Sequence, residues 1–256
     1  MIDALLLTVV GIIVGIFGTV VGVGGGFIVV PFLSLVYNLS PQLAVGTSMC
    51  IVAFNSISGA VSYARQGRVD YRTGIIFSIA MFPGAFLGAY ILQSISRQSF
   101  DIGFAIMLLV IAAYSLVKET GRSKKALVKP VEFVRPQFNM LLGMTISFGV
   151  GFYASIAGVG GGLIHVPAMI YLFHYHVYYA IPTSIFILSI SSTFAVASHA
   201  MVGAIAWTFV PFLGFGAILG AQIGGKYSTK IKSEWLIRAL VIMIVIGAVR
   251  LIAKYI

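Results

Sequence analysis

The chain has 256 residues, of which 60% are hydrophobic and 9% charged, with a mean hydropathy of +1.07. Soluble domains carry roughly a quarter charged residues, so these figures exclude an ordinary soluble fold and point to a polytopic membrane protein in a lipid bilayer. A net charge of +10 would suggest nucleic acid in a soluble chain, but here the basic residues collect in loops, as they do on the cytoplasmic side of membranes, and no nucleic-acid partner is expected.

A single cysteine, Cys50, leaves no internal disulfide and no cysteine-based zinc site. The N-terminus lacks a basic stretch and a small-residue cleavage pattern, so it reads as a retained membrane segment.

In chain order, residues 4–21 form a first apolar segment with Gly11, Gly15, Gly18 and Gly22 spaced by three or four residues, which lets helices approach closely in lipid. The stretch Gly22-Val23-Gly24-Gly25-Gly26 then interrupts it. A segment over 27–37 is too short to cross alone at about 1.5 Å per residue. Either it forms a hairpin with the first segment near mid-membrane, or tilt and thinning complete it. Residues 41–64, 71–93 and 100–118 read as further spans. The polar stretch 118–136 holds six basic residues and is the linker. The order then returns over 138–157, 162–176, 180–200, 206–226 and 235–254.

The return is a repeat at an offset of 136 residues. Gly158-Val159-Gly160-Gly161-Gly162 answers the first glycine stretch, Pro167 answers Pro31, and Thr183-Ser184 answers Thr47-Ser48. The expected organisation is a first repeat over 1–118, a linker over 119–137 and a second repeat over 138–256.

Loop charge sets the relative orientation. The turn 65–72 is basic while its counterpart 201–206 is uncharged, and the next loop carries Lys226, Lys230 and Lys232 where the first half has Arg97. Inverting the second half gathers 13 of the 16 basic residues on one side. The predicted fold is therefore all-α, with two inverted-topology repeats of about five segments each and helices broken at the glycine-rich stretches. Such repeats are the usual build of secondary transporters, whose substrate sites lie near the midplane.

The broken helices carry the candidate chemistry. A glycine break frees backbone N–H groups at the positive end of the next half-helix. In lipid such groups are tolerated only inside protein or beside a cavity, and an anion is their natural partner. Candidate binding residues are Gly24, Gly25 and Gly26 with Gly160, Gly161 and Gly162. Thr47, Ser48, Thr183 and Ser184 follow, because each pair opens a span just after a broken segment. Asn55 shares a helical face with Ser48, Ser58 and Ser62, and Ser184, Ser191 and Ser198 follow a heptad in the second half. Interhelical hydrogen bonding is the competing reading for these hydroxyls. Tight helix crossing is preferred for Gly11, Gly15, Gly84, Gly88, Gly220 and Gly224.

His165, three residues past the second stretch, is a candidate for anion contact or proton carriage, against a plain structural hydrogen bond. His174 and His176 read as a solvated pair at a loop edge, and His199 is expected near the outer surface. No acid falls mid-span, which argues against cation transport. Neither a P-loop nor G-x-G-x-x-G occurs, and no cofactor, metal or catalytic residue is expected. An intramembrane enzyme acting on a lipid-borne group, and a channel, are the alternatives to a carrier. A homo-oligomer is left open.

At the paired G-V-G-G-G stretches, with Pro31, Pro167, Gly46-Thr47-Ser48 and Pro182-Thr183-Ser184, the sequence resembles the TauE/SafE sulfite exporter family over nearly its whole length. The resemblance implies a bacterial or archaeal inner-membrane permease for sulfite, organosulfonates or related sulfur anions, often exporting. Only the glycine stretches and the Thr-Ser pairs carry over as site candidates. Pro182, standing where the first copy has Gly46, implies half-sites that are not equivalent.

Overall fold

A computed structural model describes residues 4–121, 132–134, 136–228, 245 and 249. Among these, the secondary structure is helical: α1 Ala4–Val21, α2 Gly26–Val36, α3 Pro41–Ala64, α4 Tyr71–Leu92, α5 Arg97–Gly121, α6 Met140–Ala157, α7 Gly162–Tyr171, α8 Val177–Met201 and α9 Val210–Tyr227. Five of them, α1, α3, α4, α6 and α8, are long and apolar enough to cross a membrane. The expected span over 235–254 lies outside the described residues apart from 245 and 249, as does most of the linker.

Helix starts follow from local chemistry. Ser40 caps α3 ahead of Pro41, Asp70 caps α4 by accepting from Thr73 N, and Asn139 caps α6 by accepting from Leu141 N and Leu142 N. A side-chain cap of this kind contributes about 1 kcal/mol. The short helices α2 and α7 begin differently, behind Gly25 and Gly161, with no side-chain cap.

Several boundaries differ from expectation. α5 is longer than the predicted 100–118 at both ends, and α9 starts at Val210 and not 206. The largest change falls between α7 and α8. The segment predicted over 162–176 stops at Tyr171, because His174 turns into the left-handed region (φ 57°) and Tyr175 N closes onto Met169 O. His176 is the N-cap of α8, its side chain accepting from Tyr178 N, so α8 starts at Val177, three residues before the predicted 180.

The two halves interlock. α1 packs on α9, α4 packs on α6, and α3 packs on α8 at the centre. The small-residue stripes make the outer pairs close: a Cβ at Gly11 or Gly15 would strike the carbonyls of Leu213 or Ala217, and one at Gly216 or Gly220 those of Thr8 or Ile12. Gly84, Gly88 and Gly151 do the same between α4 and α6, against Phe148, Phe152 and Met81. The crossing role preferred for these glycines is the one they have.

At the centre, α3 and α8 run antiparallel. Thr47 meets Ala206, Ser56 meets Ser192, and Gly59 meets Ile185 in succession. Outward, Ile75, Ile79, Phe82, Phe86 and Tyr90 form an exposed apolar stripe along α4, the surface a lipid-facing helix needs.

Candidate functional site

The two glycine stretches cross each other beside the α3–α8 pair. A Cβ at Gly26 would strike Gly158 O and lie 2.9 Å from Val159 Cα, and one at Gly162 would strike Gly22 O and lie 2.8 Å from Val23 Cα. Hydroxyls brace the crossing reciprocally. Ser48 Oγ donates to Gly158 O (2.7 Å), and Ser184 Oγ donates to Gly22 O (3.1 Å).

The glycines serve different physical needs. Gly22, Gly24, Gly25, Gly158 and Gly160 all have φ between 69° and 86°, where any other L-residue costs roughly 1–2 kcal/mol. Gly26 and Gly162 are required by close approach of the partner stretch. Gly161 is neither: its φ is −70°, and its Cβ would meet side chains and no backbone, with Met81 at 2.6 Å and Val150 at 2.7 Å nearest.

These turns leave backbone donors over. Gly22, Val23 and Gly24 all donate to Gly18 O, and the next donor is Ile28, to Gly25 O. Gly25, Gly26 and Phe27 N–H have no carbonyl partner among the described residues. In the second half Gly158 N donates to Ala154 O, and the next donors are Ile164 and His165, both to Gly161 O. Val159 through Leu163 are left over in the same sense. A buried orphan donor costs about 1–3 kcal/mol, so both turns stand ready for an acceptor.

Side chains with open valences lie beside both turns. Asn55 is fully buried, its Oδ1 accepts from Thr19 Oγ1 (2.9 Å), and its Nδ2 has no partner. Nδ2 and Gly25 N both border the position of a Cβ at Gly18, at 2.5 and 2.7 Å. His165 is fully buried on α7, with Nε2 3.0 Å from Ser147 Oγ and Nδ1 unpartnered. His165 Nδ1 lies 3.6 Å from the position of a Cβ at Gly161.

A narrow pocket of about 10 Å³, room for roughly one water, is lined by Gly160, Gly161, Ser155, Ser191 and Ser192, with Met49 and Met81 among its apolar walls. Val52 and Leu188, one from each central helix, lie 2.9 and 3.0 Å from the position of a Cβ at Gly24 and 3.1 and 2.7 Å from that of a Cβ at Gly160. No acid lines the pocket. The buried acids Asp70 and Asp101 sit near helix starts, Asp70 accepting from Thr73 Oγ1 and Tyr175 OH and Asp101 lying 3.9 Å from Arg97 Nε.

The predicted residues therefore divide. Gly24–Gly26, Gly160–Gly162, Ser48, Ser184, Asn55 and His165 come together around the crossing. Thr47 and Thr183 do not point there: Thr47 Oγ1 accepts from Ala206 N (2.9 Å) and Thr183 Oγ1 from Asp70 N (3.0 Å), each holding the loop of the opposite half. Ser58 is interhelical, donating to Ile218 O and accepting from Gln222. His199, expected near the outer surface, is fully buried, with Nε2 bonded to Ser155. Sequence reasoning missed Ser56 and Ser192, whose hydroxyls meet at 3.3 Å. Their offset of 136 would have found them.

A second cluster ties the basic loops together. Arg68 is buried between α3 and α4; it donates to Tyr178 O, Gln66 Oε1 and Ser228 Oγ, and stacks 4.0 Å from the Tyr178 ring centre. Burial pulls its pKa below the ordinary arginine value. The loop after α3 and the end of α9 thus share one end of the molecule.

Comparison with known proteins agrees with this architecture. The model of the family described as sulfite exporter TauE/SafE matches residues 7–251. The chain belongs to the TauE/SafE family. It is 32% identical to the probable membrane transporter protein YunE of Bacillus subtilis, over 94% of this chain and 95% of that one. A probable membrane transporter of Sinorhizobium is 27% identical over 96% and 91% of the two chains, and one of Methanocaldococcus jannaschii 25% over 90% and 88%. No solved structure matches. TauE/SafE membership makes the chain a multi-pass membrane transporter.

Proposed function

We propose that this TauE/SafE protein is a secondary carrier for a small sulfur-containing anion such as sulfite, thiosulfate or an organosulfonate. The anion binds where the two glycine turns cross, and the site opens alternately to each side of the bacterial or archaeal inner membrane. The observation that carries the reading is the pair of uncapped helix starts at Gly26 and Gly162, with left-over amides and no acid at the adjoining pocket. Oxyanion oxygens satisfy those donors, and the dipoles of α2 and α7 favour negative charge. Asn55 Nδ2 adds a donor on the first-half side. Ser48 and Ser184 hold the turns to each other, and their hydroxyls complete the shell when the crossing loosens.

The antiparallel α3–α8 pair and the shared end of the two basic loops support inverted repeats, with the linker in the cytoplasm. The pocket is smaller than any of these anions, which fits an occluded resting form that must widen to load. The family's description, sulfite exporter, supports the sulfur anion and the outward direction. The test is flux of sulfite, thiosulfate, methanesulfonate and sulfate in proteoliposomes. Saturable counterflow of at least one sulfur anion is expected; absence of flux for all four would overturn the reading.

A further inference from the structure

We infer that the carrier moves one proton with each anion, and that the proton is held at His165 Nδ1. The inference rests on the anion site proposed above and adds its coupling.

The hydrogen bonds fix the resting tautomer of His165. Ser147 has one hydroxyl proton, and it goes to Gly143 O at 2.7 Å. The bond between Ser147 Oγ and His165 Nε2 therefore has the imidazole as donor. A neutral ring with its proton on Nε2 carries a bare lone pair on Nδ1. That lone pair is fully buried and unpartnered, 3.6 Å from the position of a Cβ at Gly161, whose own N–H has no carbonyl partner among the described residues.

Beside a bound anion, a bare acceptor has two ways to be satisfied. Either the anion arrives with an O–H that donates to Nδ1, or the ring takes a proton and the bare anion binds beside an imidazolium. Both states hold the same atoms: one fully deprotonated anion and one proton. The proton enters with the anion from the loading side and leaves with it on the other, so the ring returns to its neutral tautomer.

The surroundings keep this proton tied to the anion. α4 contributes Phe77, stacked on the imidazole with centroids 5.8 Å apart, and Met81 at the Gly161 position; α6 contributes Ser147 and Val150. None of these is charged. The apolar cluster around the ring carries two phenols, Tyr175, whose hydroxyl donates to Asp70 Oδ2 at the start of α4, and Tyr179 at its edge. With no carboxylate against the ring among the described residues, the charge that makes an imidazolium favourable there is the transported anion. His199 shares the tautomer, since its Nε2 donates to Ser155 O, but it lies near the far end of α8. The repeat partner of His165 is Val29, so the first half has no second acceptor to share the role.

The test uses the full chain in proteoliposomes with methanesulfonate, a strong acid whose anion carries no proton in water, and with sulfite in parallel. An outward methanesulfonate gradient is expected to carry protons outward one for one, read by an internal pH dye, with flux unchanged when a potassium–valinomycin clamp sets the voltage. His165→Gln is expected to lose the proton movement and the rise in flux at lower pH, roughly tenfold per unit for one required proton. His199→Gln is expected to keep both. Methanesulfonate or sulfite flux without protons, or with voltage-driven charge movement matching the bare anion, overturns the coupling while leaving the carrier intact. A wild-type pH profile in a folded His165→Gln protein removes this residue. No flux of any sulfur anion refutes the site itself. The stoichiometry is read on the unmodified protein, so a variant that fails to fold does not leave the question open.

Discussion

Replacing Gly161 by alanine isolates the anion pathway from the fold. The backbone at 161 is helical, so alanine brings no left-handed penalty. The new methyl would lie 2.6 Å from Met81 Cε and 2.7 Å from Val150 Cγ1, where ordinary carbon contacts are about 3.5–4.0 Å. Each neighbour must give by about 1 Å. Met81 has three rotatable bonds and can retreat. Overpacking of this kind costs about 1–3 kcal/mol, and reduced freedom of the unfolded chain returns about 0.4–1. A net loss of about 1–2 kcal/mol leaves a protein with a typical margin of about 5–15 folded. Yet Gly161 lines the roughly 10 Å³ pocket, and the methyl would lie 3.6 Å from His165 Nδ1. Sulfite flux into proteoliposomes is expected to fall at least tenfold, about 1.4 kcal/mol of lost interaction, with elution and thermal unfolding in detergent close to wild type. Wild-type flux from that folded variant would refute the idea that the anion passes Gly161.

Other perturbations separate structure from transport. Gly25→Ala combines a φ of 85° with a Cβ only 2.8 Å from the immovable Val14 O; folded protein, measured by fluorescent size exclusion, is expected to drop severalfold instead of flux per molecule. Ser184→Ala removes the hydroxyl from Gly22 O and is expected to lower stability by about 1 kcal/mol, seen as a lower melting temperature in detergent; an unchanged value would mean the brace contributes nothing. Thr183→Val strands the buried Asp70 N–H and should cost about 1–3 kcal/mol, more than Ser184→Ala in the same assay. For orientation, Arg65→Cys and Met201→Cys occupy equivalent exposed positions while the native Cys50 is buried. A membrane-impermeant maleimide is expected to label them from opposite faces, and labelling from one face would end the inverted arrangement.

Much of the fold was legible because membrane sequence is constrained by length and periodicity. The prediction for 41–64 matches α3 to the residue, since Ser40-Pro41 is a start signal and the basic turn a stop. The glycine stretches announced the broken helices for the same reason: the chain cannot place five left-handed turns in lipid without them. The end of α7 was missed because Phe173, His174 and Tyr175 are apolar or aromatic enough to continue a helix on paper, while a tertiary contact, Tyr175 OH to Asp70, pulls the chain out of it. Among the candidate residues, repeat position pairs Ser48 with Ser184, and both hydroxyls brace the crossing, but the side-chain hydroxyls of Thr47 and Thr183 turn to the opposite loops. One helical step separates those neighbours, and hydropathy does not report which of two adjacent hydroxyls faces inward. His165 drew notice for its place in sequence; the bare Nδ1 needed Ser147 and Gly143, which no spacing links to it.

The mutual packing of α1 with α9 also bears on biogenesis. Gly11 and Gly15 acquire their partners only when Leu213 and Ala217 have been synthesised, 202 residues later. Throughout translation the first helix must wait in lipid with its glycine face unmatched, so membrane insertion necessarily precedes tertiary assembly. Nascent chains truncated before α9 should therefore be threaded correctly yet remain loose and prey to quality-control proteases.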